Sequence, residues 1–184
     1  MRYPERMVLC ESSYTIEEAY RELDDASGTL FAILDACDEP RVPETVSILG
    51  PDVAVSLYSG SAQRDNWAIA PYLININDKV LDWIINELWN DPWGILISSS
   101  ADLESLRSHL RKYLLVQDTQ GEELYFRYYD PRVLLTFLRT MSAADATYFF
   151  GPVDAYIVAF QEKAVRFSMS LRSSNREAVD IEGY

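Results

Sequence analysis

Apolar residues recur along this chain in two rhythms, and the switches between them predict its elements. Thr15-Ile16-Glu17-Glu18 is a capping box followed by Ile16, Ala19, Tyr20 and Leu23, one stripe of a helix over 15–25. Leu30 to Leu34 is a continuous apolar run, short enough for a strand buried on both faces. Val53 to Tyr58, Tyr72 to Ile76 and Trp93 to Ile97 repeat that signal. Residues 38–52, rich in proline and acid, read as connecting structure with a short helical piece, and Gly60 to Asn66 as a polar loop. Asn77 or Asp78 caps a helix whose face is Val80, Leu81, Ile84, Ile85 and Leu88. Ser99 or Ser100 caps another, lined by Leu103, Leu106, Leu110 and Leu114.

The second half turns on Leu124 to Val153. Leu124 to Tyr129 is β-favouring and follows a turn at Gln120-Gly121. Asp130-Pro131 stops that strand and opens a helix: proline has no N–H for a sheet ladder, and its fixed φ suits the first helical position. Asp130 is the natural N-cap, with Val133, Leu134, Phe137 and Leu138 as the apolar stripe. Ser142 and Asp145 open a further helix through Phe150, ended by Gly151-Pro152. Ala155 to Phe160 and the alternating Val165 to Leu171 predict a C-terminal β-hairpin. Strands separated by helices imply an α/β fold: a central mixed sheet of about five to seven strands, flanked by helices, as one domain over 1–171 with a flexible tail over 172–184.

Charge narrows the partners. The formal net charge of −13 argues against nucleic acid and against an anionic membrane, since both require a basic surface. The acid is uneven: residues 1–60 hold 12 acidic against 4 basic side chains, residues 101–184 hold 12 against 10. Cys10 and Cys37 form no disulfide framework, and Cys37, at the end of an apolar run, reads as a buried free thiol. The N-terminus has no apolar segment of signal-peptide length and no window suits a bilayer, so a cytoplasmic protein is expected.

Motifs for chemistry are sparse. There is one histidine, His109, read as an ordinary helix residue, and no zinc spacing, nucleophile elbow or glycine-rich phosphate cradle. No cofactor is therefore expected. Asp35, Asp38 and Glu39 cluster after the first apolar run, where α/β folds often place ligands, and support a metal-dependent enzyme as one alternative. Arg127, Asp130 and Arg132 form the most specific polar set. An arginine inside an apolar strand needs a partner, and Asp130 is the nearby carboxylate, so the set reads as an ion pair that fixes the strand-to-helix corner or, alternatively, as a contact point for another protein. Trp89 and Trp93 flank Asn90-Asp91-Pro92, which suggests a helix end near the surface where tryptophan can anchor an interface. Arg107 and Arg111 give the helix before Leu114 a basic side beside which a groove can take an incoming helix or strand.

The order LFAILDA (30–36), SLYSG (56–60), APYLININ (70–77), LDWII (81–85), WGILISSSADLESLRSHLRKYL (93–114), FRYYDPRVLLTFL (126–138) and FFGPV (149–153) resembles a bacterial family. That family was long a domain of unknown function and is associated with type VI secretion as effector adaptors, or effector chaperones. The resemblance covers about residues 29–160. It implies a non-enzymatic cytoplasmic protein that binds a toxic effector and helps load it onto the VgrG spike. Arg127, Asp130 and Arg132 match the family's FRxxDPR pattern. Many relatives continue with a further region beyond the FFGP corner, whereas this chain ends soon after its predicted hairpin. An immunity protein that plugs a toxin by direct binding is the other protein-binding alternative.

Overall fold

A computed structural model describes residues 6–15, 18, 28–160 and 162–172. Seven strands form one sheet in the order β1-β9-β8-β5-β2-β4-β3: β1 (Arg6–Thr15), β2 (Thr29–Asp35), β3 (Ala54–Ser56), β4 (Pro71–Asn75), β5 (Gly94–Ser99), β8 (Val153–Phe160) and β9 (Lys163–Arg172). The α/β class, the strand number and the β8–β9 hairpin match the expectation. The strand directions are antiparallel at every described pairing. Apolar runs could not reveal that, because they report burial of both faces and not direction.

Two helical layers explain the unbroken runs. Phe31 and Ile33 of β2 face one core, with Leu73 of β4 and Ile95 and Ile97 of β5. Three helices cover that face: α4 (Leu103–Leu110), α5 (Pro131–Thr140) and α6 (Ala143–Phe150). Ala32 and Leu34 face the other core, under α1 (Val42–Leu49) and α3 (Asp78–Trp83), which runs on as a π-helical turn over Ile84–Leu88. Burying each of these large side chains is worth about 1.5–3 kcal/mol, so both layers contribute to holding the sheet. Gly94 is needed where β5 begins: its φ is 142°, and a Cβ there would lie 1.8 Å from the Ile33 carbonyl oxygen.

The caps are mostly those the sequence nominates. Asn77 accepts from the Val80 N–H at 3.1 Å, Asp130 from Arg132 at 2.9 Å and Ser142 from Asp145 at 3.2 Å. Helix α4 is the exception. Asp102 caps it, accepting from Ser105 at 2.8 Å, while the Ser99 hydroxyl donates to the Pro152 carbonyl at 2.7 Å. The Thr15–Glu18 capping box is closed in both directions: Thr15 N–H donates to Glu18 at 2.9 Å and Glu18 N–H donates to Thr15 Oγ1 at 3.2 Å. The rest of the helix expected over 15–25 lies outside the described residues, as does the tail beyond Arg172.

Three local expectations are corrected, and one strand is added that the sequence does not predict. Arg6–Thr15, in which only Met7 to Cys10 is continuously apolar, is a strand paired with β9 at the sheet edge. Gly60–Asp65 is a short helix, α2, with no buried residue and hence no apolar periodicity to betray it. The strand expected over Leu124–Tyr129 is only β7 (Glu123–Tyr125), paired with β6 (Leu115–Gln117) in a separate two-stranded sheet. Tyr128 and Tyr129 are buried in the turn that follows. Cys37 is exposed, because the apolar run ends at Ala36 and the chain turns outward there. No helix among the described residues is long and apolar enough to cross a membrane.

Candidate functional site

The turn between β7 and α5 carries Arg127, and the chain after β2 carries Asp35 and Asp38. The fold brings these two stretches together. The Arg127 guanidinium donates to the Asp35 carboxylate and to Asp38 Oδ2, the latter at 2.9 Å. Arg132 Nη2 reaches the same Asp38 oxygen at 3.4 Å, and the Arg132 guanidinium grips Asp130 through Nε (2.8 Å) and Nη2 (2.5 Å). The result is a chain of alternating charge, Asp35–Arg127–Asp38–Arg132–Asp130, running from the end of β2 to the start of α5.

Its electrostatics follow from depth. Asp35 is 1% exposed, and burial pushes its carboxyl above the ordinary value although Arg127 and the Cys37 N–H pull it back. Asp130 is also buried, but the Arg132 hydrogen bonds and charge outweigh burial and hold it below the ordinary value. Burial works against the charged form of Arg127, yet the Asp35 hydrogen bond and charge raise its pKa. Asp130 is therefore the helix cap expected from the sequence, but the partners of Arg127 are Asp35 and Asp38. The arginine lies on a turn and not inside a strand.

The acidic loop is fully engaged by this network and its neighbours. Glu39 takes two hydrogen bonds from the Arg41 guanidinium (2.8 and 2.9 Å), and Arg41 continues to Glu87 at 2.8 Å. The guanidinium also lies over the Trp83 ring, 5.6 Å from its centroid. Among the described residues no three or more His, Cys, Asp or Glu side chains are grouped to hold a metal ion. These carboxylates are placed as ion-pair partners for the chain's own arginines.

The other expected site residues lie apart from this corner or beneath it. Trp89 and Trp93 are 5% and 1% exposed, packed in the core under α3. The surface position read from Asn90-Asp91-Pro92 is thus corrected: the turn is there, but both rings point inward, with Nε1 atoms that have no partner among the described residues. Arg107 on α4 is a strut. It donates to the Ser56 carbonyl at 2.8 Å and the Tyr58 carbonyl at 3.2 Å, fixing the end of β3. His109 is buried, its Nε2 2.9 Å from the Phe149 carbonyl oxygen, and it joins α4 to α6.

Arg111 stands in a different setting. It donates to Ser59 Oγ and, with Lys112, lines a groove of about 550 Å³. Leu57, Tyr58 and Leu114 from the core side, Ala62 from α2, and Leu115 and Tyr125 from the β6–β7 sheet complete the apolar lining. That small sheet also leaves large apolar side chains in water: Leu115 is 55% exposed, Leu124 49%, Tyr125 43% and Val116 38%. The turn at Gln120-Gly121 between Leu115-Val116 and Leu124-Tyr125 is a hairpin signal, and it was the available clue to this surface.

No curated protein and no solved structure matches this chain. A family model described as Domain of unknown function (DUF4123) matches residues 30–148, about two thirds of the sequence. The matched span runs from within β2 to within α6 and contains both the charged corner and the groove. The chain therefore belongs to the DUF4123 family.

Proposed function

We propose that this protein is a non-enzymatic adaptor of type VI secretion, which binds a toxic effector in the cytoplasm and helps place it on the VgrG spike. The observation that carries the reading is the exposed β6–β7 sheet: Leu115 and Tyr125 stand in water at the rim of an apolar groove, and Val116 and Leu124 are exposed on the opposite face of the hairpin. Large apolar side chains left in water at the mouth of a groove mark interaction sites. Membership of the DUF4123 family and the resemblance to effector adaptors support the same reading. Holding an effector in a loading-competent conformation requires only that the adaptor bind that conformation more tightly than others. A specific interface would bury on the order of 1,200–2,000 Å² in total.

The test is co-expression with the proteins encoded by the genes adjoining this one, as candidate effectors. A complex that survives purification across a range of salt is the expected result; purified partners that fail to associate would sink the proposal. Cell survival separates the adaptor from an immunity protein. An immunity protein protects cells that express the toxin, whereas an adaptor is required for secretion and need not protect.

A further inference from the structure

The groove has a sign as well as a shape. In a chain of net charge −13, its charged lining residues are Arg111 and Lys112, and no carboxylate lines it. The acids of the hairpin, Asp118, Glu122 and Glu123, lie outside that lining, around the turn and the end of the sheet next to it. Arg111 holds only Ser59 among the described hydrogen bonds, and Lys112 is exposed. The remaining lining is apolar or neutral, with Leu57 and Leu114 at depth and Leu115 and Tyr125 at the rim. Leu115 and Tyr125 are directly opposed in the β6–β7 register, so they project from the same face of the hairpin. Neither β6 nor β7 has a further strand neighbour among the described residues.

We infer that this groove takes a short extended segment of the effector carrying apolar residues and a carboxylate. The apolar side chains pack between Leu57, Leu114 and Tyr125, and the carboxylate meets Arg111 and Lys112. Charge complementarity selects this occupant: the groove is a local basic site on an acidic protein, so it favours an acidic–apolar segment over a basic one. The outer edges of the hairpin, unpaired with any further strand among the described residues, would add main-chain hydrogen bonds, the usual source of affinity for an extended peptide. The inference rests on the adaptor reading and adds to it the face used and the chemistry of what is bound.

The probes are a candidate toxin from an adjoining gene and short synthetic peptides tiling it, measured by calorimetry against wild type, Arg111→Glu, Leu115→Asp and Ile48→Asp. Ile48 is 79% exposed and does not line the groove, so it is the control. Binding weakened roughly tenfold or more by each groove variant, with the control unchanged and all melting temperatures alike, is expected. The tightest peptides should be acidic and apolar. Binding of the toxin to wild type with both groove variants within about twofold would overturn the groove while leaving the adaptor standing. Failure of wild type to bind the toxin at all would overturn the adaptor reading and the groove with it. A wild-type dimer in sedimentation that Leu115→Asp converts to monomer would make a second copy the occupant, and would overturn the effector segment.

Discussion

Arg127 and Asp35, 92 positions apart in sequence, meet as a guanidinium–carboxylate pair that ties the turn before α5 to the end of β2. The pair is unequal. Asp35 is buried, while the Arg127 side chain is 35% exposed. Removing the arginine therefore strands a carboxylate in the core, with the Cys37 N–H, at 3.0 Å, as its remaining donor among the described hydrogen bonds.

Arg127→Ala is expected to lower stability by about 1–3 kcal/mol, less than a fully buried pair would show because solvent screens the arginine side. Adding Asp35→Asn should recover part of the loss, since no charge is then left buried. Urea unfolding of the two variants and wild type measures both effects. A variant Arg127→Ala that unfolds at the wild-type midpoint yet no longer binds the toxin would make the corner a docking site and not a clamp.

Part of the acid sensitivity should trace to Asp130, which with Glu39 and Asp102 is held below the ordinary carboxylate value. Its pKa is below the ordinary value in the folded protein, so between the folded and unfolded values the unfolded chain binds more protons. The stability this confers is present above the unfolded pKa of about 3.9 and is lost as pH falls through the folded value. Asparagine also caps helices, so Asp130→Asn keeps the cap and removes the charge. The variant should be less stable than wild type at pH 6 and should match it once wild-type Asp130 is protonated. Asp35 has the opposite sign: raised mainly by burial, it contributes stability present below its unfolded pKa and lost as pH rises through the folded one. Denaturant midpoints from pH 6 to pH 2 for both proteins check this, and parallel curves would remove Asp130 from the account.

What the sequence discloses is set by burial. Strands β2, β4 and β5 are buried on both faces and stand out as apolar runs, and the caps at Asn77, Asp130 and Ser142 are legible as capping side chains ahead of an apolar stripe, whereas before α4 Ser99, Ser100 and Asp102 all offer that signal. Strand β1 lies at the sheet edge with no buried residue among those whose burial is described, so polar residues suffice there. Asp35–Glu39 and Arg127–Arg132 each attract notice alone, but their meeting depends on strand order, which hydrophobic pattern does not encode. Trp89 and Trp93 show the same limit: Asp91-Pro92 announces a turn but not the depth of the rings beside it.

The FFGP corner makes the sharpest steric prediction. Gly151 has φ +49° and ψ −112°, a conformation that L side chains rarely adopt. A Cβ there would sit 2.3 Å from His109 Cε1 and 2.7 Å from Nδ1. The ring cannot simply swing aside, because Nε2 is engaged with the Phe149 carbonyl and the ring packs edge-on against Tyr113, 5.3 Å between centroids. Gly151→Ala thus combines backbone strain with overpacking, for a loss of roughly 2–4 kcal/mol. His109→Ala alone removes a buried hydrogen bond and is destabilising too, but it clears the space the new methyl needs. The double variant should lose less than the two single losses added together, by about 1 kcal/mol or more, with the backbone strain remaining. Urea unfolding of the four proteins closes the cycle. Strict additivity would show that His109 does not press on this corner, and that the glycine is required for its backbone conformation alone.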